Sequence, residues 1–367
     1  MNARRLSGQR MGVGRYIEYL LKHWDHQRAS DDRFTLFVRT PFHRGELSLS
    51  DAFDVRLLRP ALTGIVWENV HLPREAADVD VLFCPNYSAP LAYRGRLVVA
   101  THSINEIQRG AHRWWYPHTY GQLYRRSALM ADRVIVPSET TKRDVERHYG
   151  VSAERIDVVE QGTDDTFQPI RDVTVLRDAR RKYLGADVPY VLFVGTLSER
   201  RNTANLLRGF ASAKKRGRLP HKLLLFGPNP HQVPLGALAR SLGIEHDVVQ
   251  TDGRIASHAE IVPVYCAADV FVHPSLYEGF SMTTVEALAC GVAVIASNRG
   301  GLADVANGYA RMLADPTAEA IGDAIYEVLS DSKVRKALQE KALERATAFR
   351  WENTARKTMD VLRRVAV

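Results

Sequence analysis

Apolar positions along the chain fall into short, nearly unbroken runs separated by longer amphipathic stretches. In the first half, FTLFVR (34–39), VDVLFCPN (79–86), RLVVATH (96–102) and RVIVPS (133–138) read as strands. Helical patterns follow Gly14, precede Arg133 and start near Ser138. IDVVEQGTDDTFQPIRD then begins as a strand and dissolves into glycine, aspartate and proline, so a linker is expected over about 162–175. The second half repeats the grammar with YVLFVG (190–195), KLLLFG (222–227), DVVQTD (247–252), DVFVHP (269–274) and VAVIAS (292–297). Helices are expected over RNTANLLRGFASAKKR, near 231–242, near 257–267 and over TTVEALAC. Continuous apolar strands alternating with helices predict parallel sheets covered on both faces. The expected class is α/β, with two Rossmann-like, doubly wound parallel-sheet domains facing a central cleft. The boundaries read as 1–168 and 169–347, with a closing helical segment at 348–367.

In open parallel sheets ligands bind beyond the carboxyl ends of the strands, so the chemistry is sought there. After the run DVFVHP comes SLYEGFSMTTVE, which carries Glu278 and Glu286 around a hydroxyl cluster, Ser281, Thr283 and Thr284. Thr283-x-x-Glu286 fits a capping box, which would make Glu286 a structural residue. Glu278 precedes a glycine in the loop and has no such role. A helix N-terminus suits phosphate, and a carboxylate accepts hydrogen bonds from sugar hydroxyls; a ligand with sugar at one end and phosphate at the other satisfies both. GTLSERRN (195–202) places Arg200 and Arg201 after a strand and before a helix. Cations there oppose the helix dipole, so either the helix start is merely solvated or the pair binds a diphosphate. In the first half, Gly12 and Gly14 stand just before a helix, a weak signal, and His102 ends a strand. Asp78-Val79-Asp80 precedes its strand and reads as a cap. No Cys/His cluster has zinc spacing, so neither metal nor other cofactor is expected.

Composition narrows this picture. A chain of 367 residues with 45% hydrophobic and 25% charged content suits two well-packed domains. No run of about 18 apolar residues is present, and MNARRLSGQRMGVG lacks the apolar block of a signal peptide. Cys84, Cys266 and Cys290 are scattered in apolar segments, as expected of buried thiols in a reducing, cytoplasmic setting. A net charge of +8 favours phosphates or anionic lipid but is too dispersed for nucleic acid. RGAHRWWYPHTYGQLYRR (109–126) interleaves Trp114, Trp115, Tyr116, Tyr120 and Tyr124 with Arg109, Arg113, Arg125 and Arg126. It reads either as a core helix with a basic face or as a peripheral contact with an anionic membrane surface, beside a lipid-linked acceptor.

These residues carry a family resemblance. VFVHPSLYEGFSMTTVEALACGVAVIASNRGGLADV resembles the signature of retaining glycosyltransferases of family 4, which have the GT-B fold. GTLSERRN, VPSETTKRDV, GVGRYIEYLL and FRWENTARKTMDVL are similar to other segments of that family, and the likeness covers residues 11 to 365. The chain departs from the pattern at Arg201, where lysine is usual, at Ser281-Met282-Thr283, where glycine-leucine-proline is usual, and at Gln161, where asparagine is common. Only MNARRL precedes the glycine loop, so the first strand is either very short or trimmed.

The resemblance implies roles. Glu278 would contact hydroxyls of the donor sugar, Glu286 would hold the nucleotide ribose, and Arg200 and Arg201 would neutralise the diphosphate. Gly14 and Gly195 would let backbone approach the donor. His102 would lie near the transferred sugar. Phe280, Ser281 and Met282 would complete the donor site. The implied donor is a UDP- or GDP-sugar, the acceptor a saccharide or lipid-linked hydroxyl, and the outcome retention without a metal. Two rivals stand beside this reading, a nucleotide-sugar epimerase of the same fold and a two-domain sugar receptor. The receptor would need a signal peptide and no phosphate clamp.

Overall fold

The computed structural model describes residues 1–6, 12–107, 116–255 and 257–366. The chain divides into two compact units, Met1–Gly162 with Arg350–Val367, and Thr163–Phe349. The division falls at 162/163 and 349/350 because of how the two crossing segments bond. Thr163 N–H donates to Phe349 O at 3.1 Å, which seats both in the second unit. A Cβ on Gly162 would lie 2.1 Å from Trp351 N, so that glycine packs on the closing helix of the first unit. The expected linker is shorter than the sequence suggested. Helix Val173–Leu184 starts within it, capped by the Asp172 side chain, which accepts from the amides of Thr174 and Val175.

The first unit contains β1 (Phe34–Val38), β2 (Phe53–Leu57), β3 (Leu82–Cys84), β4 (Leu97–Ala100), β5 (Arg133–Val136) and β6 (Ile156–Val158). β1 pairs with β2, and β3-β4-β5-β6 form a second run, all parallel. Residues 1–3 stitch the two together. Asn2 N–H donates to Phe83 O at 2.8 Å, Ala3 N–H to Phe37 O at 2.9 Å, and Phe37 N–H to Met1 O at 3.0 Å. The chain start thus does the work of a very short strand between β1 and β3. β2 is a strand that sequence pattern did not reveal. FDVRL alternates apolar with charged residues, as an edge strand wetted on one face does, and lacks the continuous run of a central parallel strand.

Helix Val13–Gln27 starts after Gly12, whose φ of 52° suits glycine, so Gly14 lies inside its first turn and not before the helix as expected. The closing helix Trp351–Ala366 packs on it. Tyr19 stacks on Trp351 at 4.9 Å, and Trp24 Nε1 donates to Ala355 O at 2.9 Å.

The second unit contains β7 (Tyr190–Val194), β8 (Lys222–Phe226), β9 (Val248–Thr251), β10 (Val270–His273), β11 (Val294–Ser297) and β12 (Arg311–Leu313). Their order is β12-β11-β10-β7-β8-β9, all parallel. Alternate residues of each strand enter different cores. Tyr190, Leu192 and Val194 face one, and Val191 and Phe193 the other. This is the doubly wound arrangement, with helices covering both faces. The chain builds outward from β7 to β9, then returns to the far side of β7 for β10. The switch point of the topology therefore lies between β7 and β10, where such sheets bind ligands. Among the described residues no helix is long and apolar enough to cross a membrane.

Candidate functional site

Arg200 and Arg201 follow β7, and Glu278 follows β10, so the loops after the two switch-point strands bring them together. Arg200 Nη1 donates to Glu278 Oε1 at 2.7 Å and to Tyr277 O at 2.6 Å. Arg201 Nε lies 3.1 Å from the same Oε1, and Ser275 Oγ donates to it at 3.2 Å. All three side-chain contacts converge on one carboxylate oxygen. Burial alone would raise the Glu278 carboxyl, but Arg201 and Arg200 hold it far below the usual carboxylate range. Burial correspondingly lowers the Arg201 guanidinium, with Glu278 opposing.

His273 completes the cluster. Arg201 Nη1 lies 3.0 Å from His273 Nε2; a guanidinium only donates, so Nε2 accepts and the ring proton sits on Nδ1. Ser281 Oγ at 3.0 Å and Thr284 Oγ1 at 2.9 Å receive that proton between them. Burial, chiefly, lowers the His273 pKa, consistent with a neutral ring.

The sequence pattern assigned the helix cap wrongly. Ser281, not Thr283, is the N-cap of helix Met282–Ala289, its Oγ accepting from Thr284 N–H at 3.3 Å. Glu286 is therefore no member of a capping box. It is buried, and its Oε2 accepts from Tyr265 Oη at 2.8 Å. The amides of Met282 and Thr283 occupy the helix's first turn, where no intrahelical acceptor exists for them. Phe280 turns its ring into the core, edge-on to Phe349 at 5.8 Å, which leaves its backbone alone to face a ligand.

Glycines set the loop positions. A Cβ on Gly195 would lie 2.8 Å from Arg201 Nη1, so only glycine lets that guanidinium lie over the end of β7. Gly300, at φ +58°, would put a Cβ 2.3 Å from Glu278 O, and Gly301 would put one 2.2 Å from Gly279 O. Gly301 N–H also donates to Glu278 O at 2.6 Å. Sequence reasoning overlooked this glycine pair, as it did His273, Ser275 and Tyr265. The available signals were a histidine closing an apolar run and a Gly-Gly soon after the next strand.

His102 and Gly14 belong to the first unit. His102 Nε2 donates to Pro85 O at 2.8 Å, and its Nδ1 accepts from Gln161 Nε2 at 2.9 Å. Tyr16, two residues beyond Gly14, meets the ring edge-on at 4.8 Å, and Tyr87 does so at 5.4 Å. Burial lowers its pKa to about 4 despite the bond to Pro85, so the ring is neutral at pH 7. Both ring nitrogens are thus engaged by protein. In the aromatic stretch, Tyr116 stacks on Tyr120 at 4.7 Å and Tyr116 Oη lies 3.2 Å from Tyr124 Oη. Arg125 and Arg126 are exposed. Arg109, Arg113, Trp114 and Trp115 lie outside the described residues. Asp78 pairs with Arg56 at 3.6 Å. Among the described residues no group of three or more His, Cys, Asp or Glu could hold a metal ion.

Two family models match: "Glycosyl transferases group 1" over residues 177–345 and "Glycosyltransferase Family 4" over residues 11–167. The solved structure of HepE from Anabaena, bound to UDP and glucose, superposes with a TM-score of 0.77 at 18% identity, over 97% of each chain. The fold is GT-B, and the chain belongs to the group 1, family 4 glycosyltransferases. A D-inositol 3-phosphate glycosyltransferase of Corynebacterium glutamicum is 33% identical over 61% of this chain and 55% of its own length. The O-antigen chain mannosyltransferase B of Escherichia coli is 28% identical over 63% of this chain and 60% of its own. The chain spans little more than half the length of these curated relatives.

Proposed function

We propose that the chain transfers a sugar from a nucleotide-diphosphate sugar to an acceptor hydroxyl, with retention of configuration and no metal ion, in polysaccharide or glycolipid biosynthesis. One observation carries this reading: two partly buried arginines at the switch point share a single buried carboxylate, Glu278. Breaking the anomeric bond leaves negative charge on the diphosphate, and preorganised guanidinium groups stabilise it as it forms. A departing phosphate oxygen takes the acceptor's proton on the face where the new bond forms. Before donor binds, Glu278 is the counter-ion of both arginines. The diphosphate replaces it, and the carboxylate turns to the hydroxyls of the donor sugar. The amides of Met282 and Thr283 add donors for phosphate. Glu286, oriented by Tyr265, holds the ribose. His102, with both nitrogens bonded, acts as a positioning residue for the loop after β4.

The UDP in the Anabaena neighbour favours a uridine donor over a guanosine one. The relatives' names point to polyol or saccharide acceptors, free or lipid-linked. A cytoplasmic location with peripheral membrane attachment goes with this reading, supported by exposed Arg125 and Arg126.

Thermal-shift screening against UDP-, GDP- and dTDP-sugars identifies the donor, since a ligand of the folded state raises its apparent stability. With that donor, Arg200→Ala and Arg201→Ala each weaken use by about ten- to hundredfold, as expected for charge-assisted contacts of about 1.5–3 kcal/mol. Arg201→Lys is milder. Unchanged donor kinetics in both alanine variants would sink the diphosphate assignment.

A further inference from the structure

The first unit carries a half-open cavity of about 310 Å³, and its lining contains Arg4, Arg5 and Arg39 and no acidic residue. We propose that this cavity is an acceptor subsite for a phosphate-bearing compound, its guanidinium groups holding the phosphate and its tyrosines the carbon skeleton. The proposal rests on the transferase reading for the word acceptor, but the anion site stands on its own geometry.

Position comes first. Arg39 follows β1, and Asn86 and Ser88 follow β3, so the cavity opens at the carboxyl ends of a parallel sheet, where ligands bind. Pro85, whose carbonyl accepts from His102, immediately precedes Asn86. The volume lies at the lower end of the range for small-molecule sites, roughly 300–1,000 Å³.

Charge comes second. Arg4 is fixed in place, with Nη1 2.6 Å from Glu68 Oε2, and Nη2 donating to Ser88 Oγ at 2.9 Å. Glu68 is fully buried and also accepts from Asn2 Nδ2 at 2.7 Å, so it is spent on Arg4 and the chain start. Among the described residues Arg39 and Arg5 meet no carboxylate; the Arg39 guanidinium makes one long bond, to Leu62 O at 3.4 Å. Arg4 Nη1 and Arg39 Nη1 lie 4.0 and 3.9 Å from the point a Cβ on Gly64 would occupy, so the two guanidinium groups flank that glycine. Arg5 and Arg39 thus add two positive charges that Glu68 does not balance, and an anion relieves their repulsion. Arginine forks match phosphate oxygens in geometry as well as charge.

Shape comes third. Tyr120 and Tyr124 wall the cavity, and the stack of Tyr116 on Tyr120 holds that wall in place. Aromatic rings together with hydrogen-bonding Asn86 and Ser88 in one lining suit the apolar face and hydroxyls of a sugar or polyol.

The test is calorimetry without nucleotide, using glucose 6-phosphate, inorganic phosphate and glucose, and sedimentation with phosphatidylcholine vesicles with and without phosphatidate. Glucose 6-phosphate should bind at least about tenfold more tightly than glucose. In the double variant Arg5→Ser/Arg39→Ser that binding should weaken at least about tenfold, while Arg5→Lys/Arg39→Lys keeps most of it. UDP binding serves as the control for folding. Phosphatidate-dependent sedimentation lost in the serine variant, without binding of the soluble probes, supports the same phosphate site and makes its source a lipid headgroup. Full binding in the serine variant overturns the proposal, because the anion then sits elsewhere, as at Arg200 and Arg201. So does absence of binding to every phosphate probe. A protein that binds UDP-sugars but no such phosphate refutes this inference alone; one that binds the phosphate but no nucleotide sugar refutes the transferase reading alone.

Discussion

His273 and His102 stand at carboxyl ends of parallel strands, one in each unit, and burial keeps both neutral. Their surroundings differ in kind. His273 is wired to Arg201, and through it to Glu278, within a web of charge. His102 sits in a box of uncharged groups, Pro85, Gln161, Tyr16 and Tyr87. The lesson is that the second unit holds its histidine by electrostatic balance and the first holds its histidine by shape. Removing one charge should disturb the former far more than removing one side chain disturbs the latter.

The largest test of that contrast is Glu278→Gln. It leaves two largely buried arginines without a counter-charge, and breaking such a pair costs about 3–5 kcal/mol. The melting midpoint of the second unit should fall by roughly 2–4 °C per kcal/mol, and UDP should restore more stability to the variant than it adds to the wild type. An unchanged midpoint would mean that the charge web is not what holds these loops. Gly300→Ala comes next. Its Cβ would collide with Glu278 O at 2.3 Å and occupy a strained φ of +58°, at a cost of about 1–3 kcal/mol and with weaker UDP binding. Gly12 has a similar φ, +52°, but nothing within 4 Å, so Gly12→Ala should cost only the backbone strain. Equal losses in the two alanine variants, measured by denaturant midpoint, would erase the distinction.

Acid titration separates the two sites by pH. The His102 pKa falls from 6.5 to about 4 on folding, so the unfolded chain takes up this proton first and stability declines as pH drops from 6.5 toward 4. Glu278, depressed by its arginines, contributes stability above the ordinary glutamate pKa of about 4.3 and loses it only as pH falls below that. His102→Gln should therefore flatten the decline between pH 6.5 and 4.5 by about 2 kcal/mol, read from urea midpoints, and leave the steeper loss below pH 4 intact. A decline identical to wild type would show that His102 is not kept neutral by the fold. The smallest effect is expected at the surface. Arg125→Ser and Arg126→Ser should each weaken low-salt binding to anionic liposomes by about 1 kcal/mol. Sedimentation that ignores both changes would remove the membrane reading.

Legibility in the sequence followed the same divide. The central strands announced themselves because strands buried on both faces must be apolar throughout. β2 and β12 did not, since FDVRL and RML at sheet edges carry charges. Glu278, Arg200 and Arg201 were legible because charged residues beside apolar strand ends call for a reason. Their mutual pairing was not, because residues 78 positions apart meet only through the strand order. The cap at Ser281 escaped notice because Thr283 and Glu286 offered a better local pattern, which the burial of Glu286 against Tyr265 overrode. The arginine-lined cavity of the first unit was invisible, its members coming from five separate chain segments.

The closing helix Trp351–Ala366 has a consequence for how the protein is made. The first unit draws on both extremities of the chain, whereas the second is one uninterrupted stretch. A ribosome adds about 5–20 residues per second, so the first unit waits roughly ten seconds or longer for its last piece while the second is translated. Until then Tyr19 lacks its stack on Trp351 and the Trp24 indole lacks its acceptor at Ala355, a surface suited to chaperone capture. A chain stopped just before Arg350 would accordingly keep the arginine–glutamate site and lose the helix on which Tyr19 and Trp24 depend.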